Sequence, residues 1–548
     1  MPVLRKVRRY WETLRHLRSP QIWGRLVHRW HSPSPPPAAP APPRAQPGAW
    51  VAPARRLPSL TAAGHFVFLH AEGDLEKDGW DGPGQEKLWR YNQHYFDDLN
   101  AHGAASRAPW HQALLTDWIR RNPPASGTGW ESYPTSLRIV NWIKWSLAGG
   151  AADAAFLDSL ATQTRWLSRR LETHLLGNHL FVNAKALVFA GHYFSGDEAA
   201  RWRRTGHELL RREIPEQILP DGGQFERSPM YHALAYEDML DLYNIERCFA
   251  TDAGGPDGHQ RLVRMASWLH AMSHPNGELA LFNDTAEGIA PSVQELDAYA
   301  QRLGLEPPPD PHTVHLDDSG YIRLEKGRAV ALFDVGPVGP DYLPAHAHAD
   351  TLSLELSLGG TRVLVNSGTS LYAEGPERSR QRGTAAHNTV LVDGQDSSEV
   401  WSSFRVARRA RPLNVRLEQQ ADVQRASAAH DGYARLPGKP VHVRNLTLTP
   451  GGCVVEDRLE GGFRHAQSRF HFHPDVVVSA DAQGHQGLCR LPDGDAVRWR
   501  SQGASSARVE ASTWHPVFGA AIPNQCLILD WSDRQCTVEF HWDGASGG

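Results

Sequence analysis

Residues 344 to 356 read PAHAHADTLSLEL and place His346, His348 and Asp350 on alternate positions. Two imidazoles and a carboxylate at this spacing can move protons near neutral pH or hold a metal ion. In an extended strand they would share a face with Leu352, Leu354 and Leu356, which continue the same parity. Burying such groups without partners costs on the order of a few kcal/mol, so a metal, a hydrogen-bond network or a polar cleft should receive them. The competing reading is a solvated strand end with chance histidines, since the chain carries 29 of them.

Three further stretches hold residue types suited to chemistry. In LLGNHLFVNAKALVFAGHYF, residues 175 to 194, Gly177 interrupts one helical run and Asn178 and His179 open the next. There they either cap the helix or offer an amide and an imidazole to an anion. In DGGQFERSPMYHALAYEDML, residues 221 to 240, Ser228 before Pro229 is an N-cap with proline at the first helical position. Tyr231 then falls in the first turn, where the positive helix end favours a phenolate and would ease acid/base work, unless it is simply packed. In PERSRQRGTAAHNTVLVDG, residues 376 to 394, Arg378, Arg380 and Arg382 precede His387 and read either as a carboxylate or sulfate clamp or as a charged surface loop.

These residues need scaffolds of two kinds. A chain of 548 residues is too long for one ordinary core. From about residue 58 to 305 helical patterns recur, for example Leu160, Leu167, Leu171 and Leu175, and β-branched runs are sparse. The cluster LEPPPDPH at 305 to 312 marks a boundary. Beyond it come short alternating runs such as AVALFDV, TLSLELSL, TRVLVN, NTVLVD, VHVRNLTLT, CLILDW and CTVEFHW, which imply an antiparallel sandwich. The expectation is an α domain over 58–312 followed by a β domain over 313–548. Residues 33 to 47 contain eight prolines and read as part of an extended linker over 31–57. Residues 1–30 read as a basic amphipathic helix, with Leu4, Val7, Trp11 and Leu14 at helical spacing among Arg5, Arg8, Arg9 and Arg15. It would meet an anionic membrane surface or a partner, or dock on the body.

With 41% hydrophobic and 22% charged residues the chain reads as globular, and a net charge of −4 gives no global field for nucleic acid. Five scattered cysteines without a CxxC pair indicate neither a disulfide framework nor a thiolate zinc site. No apolar run of membrane-spanning length and no secretory h-region is visible.

Taken together, GNHLFVNAKALVFAG, DGGQFERSPMYH, HAHADTLSLEL with VLVNSGTSLY, and RGTAAHNTVLVDG resemble, in this order, the motifs of the heparinase II/III-like polysaccharide lyases, over roughly residues 85 to 400. The resemblance implies an incomplete (α/α) toroid followed by an antiparallel β-sandwich, with the active site between them. It implies β-elimination on a uronic-acid-containing acidic polysaccharide, in which Asn178 and His179 neutralise the substrate carboxylate. Tyr231 protonates the leaving oxygen, and His346 is the base unless Tyr231 serves both transfers. Glu226 and the three arginines would bind substrate. It also implies a structural divalent metal, often zinc, at His348, residue 366 and His387. Asn366 stands where an aspartate is more usual, and an amide oxygen is a poorer zinc ligand, so a weak or absent metal is expected. No organic cofactor is expected, and a polymer substrate would suit the periplasm although no export signal is visible. Rival readings are a glycoside hydrolase using Asp221 and Glu226, a metal-dependent oxygenase at HAHAD, and a non-catalytic polysaccharide-binding protein.

Overall fold

The computed structural model describes residues 2–30, 41–249, 257–481 and 484–543. The helices Ser132–Leu147, Gly177–Tyr193, Asp197–Gln217, Pro229–Cys248 and Gly258–Ala271 pack on one another as the main part of an incomplete (α/α) toroid. Composition explains which helix lies inside. Gly177–Tyr193 is apolar or small on every side and buries each residue from Leu180 to Tyr193, the pattern of a helix enclosed by others. Its one lysine, Lys185, is held by Asp238 at 2.6 Å and Asp241 at 2.5 Å, which is what makes a buried cation tolerable. The arginine-rich helix Asp197–Gln217 covers it from outside through Trp202, Leu209 and Leu210. The two approach closely at Gly206, where a Cβ would come within 2.8 Å of the Ala184 carbonyl.

Some sequence boundaries move. The leucine run from 160 to 175 is not one helix. It stops at Leu167, and turns lead to Leu176 and Gly177, both at positive φ (62° and 55°). At the N-terminus there are two helices, Pro2–Leu14 and Ser19–Trp30. Residues 31–40 of the proline-rich stretch lie outside the described residues. Residues 41–57 run along the toroid instead of hanging free, with Arg44 N donating to Tyr193 O at 2.7 Å and Gly48 N to Cys248 O at 2.9 Å. A small sheet, Leu60–Ala62, His65–Phe68 and Ala71–Asp74, follows.

Between Arg302 and Val314 helices give way to antiparallel sheets. A five-stranded sheet runs in the order Val314–Leu316, Tyr321–Lys326, Ala329–Asp334, Leu354–Leu358, Thr361–Leu364. It is buried on both faces, which is why AVALFD is largely apolar. Val330 and Leu332 pack with Trp268, Met272 and Phe282 on the toroid side. Ala329, Ala331 and Phe333 point the other way, into a core shared with eight-stranded and four-stranded sheets. There the predicted alternation holds: Val441–Thr449 buries every second residue and pairs Leu446 with Val455 of Gly452–Glu460. PAHAHAD itself is not in a strand. The strand begins at Leu354, and residues 344–353 are loop and turns in which Leu352 adopts φ 66°, interrupting any extended run.

Candidate active site

A cleft of about 1480 Å³ opens between the toroid and the sheets, and Asn178, His179, Glu226, Tyr231 and His346 all line it. Each is delivered by a feature that interrupts regular structure. Asn178 and His179 sit at the start of Gly177–Tyr193, where the left-handed Gly177 is pressed so close to Leu343 that a Cβ would lie 2.4 Å from its Cδ2. His179 Nδ1 meets Glu172 Oε1 at 3.2 Å, and its ring lies 4.5 Å from that of Tyr133. Burial opposes charge on this imidazole, but the Glu172 carboxylate overrides it and holds the pKa above the ordinary value of 6.5.

Ser228 caps Pro229–Cys248 by accepting from Tyr231 N at 3.4 Å, fixing Tyr231 in the first turn. The helix end does not ease its phenol. Burial first, then the Tyr372 hydroxyl 3.0 Å away, push it well above the ordinary range, so the group is held as a proton donor. Its ring lies against His346, with centroids 4.0 Å apart.

His346 is held by a residue the sequence did not single out. Asp284 Oδ2 takes His346 Nδ1 at 2.9 Å, while Oδ1 takes His348 Nε2 at 2.8 Å and the Thr369 hydroxyl at 3.1 Å. Arg378 completes the cluster with Nη1 at 2.5 Å and Nη2 at 2.7 Å. Asp284 is wholly buried. Burial alone would raise its carboxyl, but Arg378 and the two histidines hold it well below the carboxylate range. An ionised Asp284 accepts the Nδ1 proton of His346, which leaves Nε2, 3.8 Å from Glu226 Oε2, as the basic nitrogen. Glu226 is buried, and burial pushes its carboxyl up. Tyr372, on the cleft wall between Tyr231 and Phe518, was likewise given no role, although it closes the motif VLVNSGTSLY.

The three arginines do not form a clamp. Arg378 is buried on Asp284, and Arg382 donates to the carbonyls of Ala347, Ser402 and Arg405. Arg380 turns to Glu377, Thr513 and His515. None of them is among the cleft-lining residues, whereas Arg25, Arg55 and Arg405 line it and are exposed. Asp221 also lies elsewhere, with Oδ2 accepting from Ser319 N at 2.7 Å, so no carboxylate pair of Asp221 and Glu226 spans the cleft.

Behind the loop that carries His346, the rings of His348 and His387 face each other 5.2 Å apart, and Asn366 Oδ1 pairs with His387 Nδ1 at 3.3 Å. Asp350 joins them: ligand atoms of His348, Asp350 and His387 all lie within 4.8 Å of one another. His348 Nδ1 and His387 Nε2 are buried without hydrogen-bond partners, so this donor set fits a divalent ion of the zinc class.

Comparison with known proteins covers both halves of this architecture. Heparinase II/III N-terminus matches residues 100–302, and Heparinase II/III-like, C-terminal, matches residues 308–543. A heparin-sulfate lyase of Pedobacter heparinus is 25% identical over 316 residues, 51% of this chain and 47% of the relative. One from Bacteroides thetaiotaomicron is 24% identical over 341 residues, 52% of this chain and 47% of the relative. The chain thus spans about half the length of these curated relatives. Among solved structures, heparinase III superposes with a TM-score of 0.69 at 18% identity, covering 86% of this chain and 81% of that one. With the helical and sheet regions matched in turn, the chain belongs to the heparinase II/III-like family.

Proposed function

We propose that the chain is a polysaccharide lyase that cleaves a uronic-acid-containing acidic polysaccharide by β-elimination. The observation that carries this is the contact of Tyr231 with His346: a phenol held protonated lies against an imidazole whose Nδ1 is tied to Asp284. An acid and a base side by side, with Asn178 and His179 lining the same cleft, meet the demands of elimination next to a carboxylate. Membership of a family whose curated relatives are heparin-sulfate lyases supports the same reading.

In this mechanism Asn178 and His179, whose charged form Glu172 favours, hold the uronate carboxylate and disperse the charge that develops when the adjacent C5 loses its proton. His346 Nε2 takes that proton. The electron pair forms the C4–C5 double bond, the C4–O4 bond breaks, and the Tyr231 hydroxyl gives its proton to O4. Tyr372, hydrogen-bonded to Tyr231, orients the phenol. The exposed Arg25, Arg55 and Arg405 take the role first assigned to residues 378 to 382, binding acidic groups on neighbouring sugars. Asp221 lies outside the cleft, which disfavours the hydrolase. A divalent ion would be held by His348, Asp350 and His387, with Asp350 supplying the carboxylate that position 366 lacks; when bound it would brace the loop behind His346.

The test is incubation of the purified protein with a panel of acidic polysaccharides. Cleavage by elimination creates a double bond conjugated with the carboxylate and raises ultraviolet absorbance. Chain shortening without any absorbance gain would exclude a lyase.

A further inference from the structure

The first two helices lie across one side of the cleft and are tied to both domains. Gln21 is buried and donates from Nε2 to the Tyr342 carbonyl at 3.0 Å, and Arg18 reaches Glu216 of the toroid at 2.7 Å. On the sheet side Trp401 Nε1 donates to Thr13 Oγ1 at 3.2 Å, and the Tyr10 ring meets that of Trp401 edge-on at 5.0 Å. Tyr10, Leu14 and Leu17 line the cleft, so this hairpin is a wall of the site.

Away from these cleft-lining side chains the two helices are unlike the rest of the surface. Trp11, Trp23 and Trp30 are 65%, 68% and 84% exposed, and Val7, Ile22 and Leu26 accompany them at half exposure or more. The spacings 7 and 11 on the first helix, and 22, 23, 26 and 30 on the second, form one stripe on each. Lys6, Arg8, Arg9, Arg15 and Arg25 are exposed around these stripes, and residues 2–30 carry eight Lys and Arg against a single acidic residue, Glu12. A cluster of exposed indoles and aliphatic side chains on a globular protein marks an interaction surface.

We propose that this face docks on the anionic headgroup surface of a phospholipid bilayer and holds the cleft beside the membrane. The charge selects the partner. A second copy would bring the same positive surface against itself. An acidic polysaccharide would satisfy the cations but has no apolar phase to receive Val7, Ile22 and Leu26. An anionic bilayer takes both, with indoles at headgroup level and aliphatic side chains below them. No helix among the described residues is long and apolar enough to cross a membrane, so the hairpin lies in the interface plane.

The experiment is flotation of the full chain with vesicles of phosphatidylcholine alone or mixed with phosphatidylglycerol, without polysaccharide, so the outcome is independent of the proposed reaction. The expected result is binding to the anionic vesicles with a blue shift of tryptophan emission, weakened about tenfold or more in roughly 0.5 M salt. The triple variant W11S/W23S/W30S and the double variant R8E/R9E should each lower vesicle binding about tenfold or more, with unchanged thermal unfolding. None of these five side chains lines the cleft. Failure to float with anionic vesicles, or equal binding to both vesicle types, overturns the proposal. So does a dimer by light scattering that the tryptophan variant alone dissolves, which would assign the face to a second copy.

Discussion

The Tyr231 ring lies against the His346 imidazole, with centroids 4.0 Å apart and planes 32° from parallel, so that the two groups proposed to move protons share one patch of the cleft wall. Tyr231→Phe removes the phenolic oxygen and keeps the packing. We expect a folded protein whose turnover on the cleaved polysaccharide falls about 10²-fold or more, and the same for His346→Ala. Near-normal turnover of either purified variant would remove that residue from the mechanism.

Asp284 and Arg378 form a buried ion pair, and breaking such a pair leaves an uncompensated charge in the core. Arg378→Ala should lower unfolding free energy by about 3–5 kcal/mol. Arg380 and Glu377 are each more than a third exposed, so Arg380→Ala should cost no more than about 1 kcal/mol. Arg405→Ala, at the cleft, should leave stability unchanged and raise KM about tenfold by loss of a charged contact. Denaturant titrations and kinetics of the three variants separate these roles. A raised KM without destabilisation in Arg378→Ala would contradict its assignment.

How much of this was legible in the sequence follows from distance along the chain. The order of a helical and then a sheet domain was readable because the hydrophobic period changes at the proline cluster. Tyr231 was placed by its Ser-Pro cap, four residues of local chemistry. Asp284 was invisible because its partner His346 is 62 residues away, and only the packed sheet brings them together. The arginines misled for a geometric reason. They lie on the helix Pro376–Arg382, where positions 378 and 382 share a face and 380 does not. Two therefore turn inward to Asp284 and backbone carbonyls while the third faces away. The HAHAD spacing drew attention to two histidines that share Asp284, but by the wrong geometry, since a loop with Leu352 at φ 66° presents them, not a strand.

The convergence of Asp350 with His348 and His387 changes what is expected of a metal. Metal analysis after purification without chelator should find a divalent ion, and Asp350→Asn should reduce occupancy by roughly tenfold or more. Asn366→Asp should add a carboxylate and raise affinity. Occupancy unaffected by Asp350→Asn, with a large gain from Asn366→Asp, would return the third ligand to position 366. Unfolding temperature before and after chelator treatment gives a readout independent of activity.

The pairing of His179 with Glu172 makes a pH signature. The folded pKa of His179 lies above 6.5, because Glu172 outweighs burial, and that of Glu172 lies below its ordinary 4.5, because His179 and Asn183 outweigh burial. A raised histidine contributes stability that is complete below about 6.5 and is lost as pH rises through its folded value. A lowered glutamate contributes stability that is complete above about 4.5 and is lost as pH falls through its folded value. The pair is therefore at full strength between these limits. Glu172→Gln should cost about 1 kcal/mol there, because the histidine is partly solvated, and less on either side. Proton NMR of the His179 ring should show its pKa falling in Glu172→Gln, and KM for the uronate polymer should rise most at pH values where only the wild-type imidazole stays charged. An unmoved His179 titration would separate Glu172 from the charge that the carboxylate is proposed to meet.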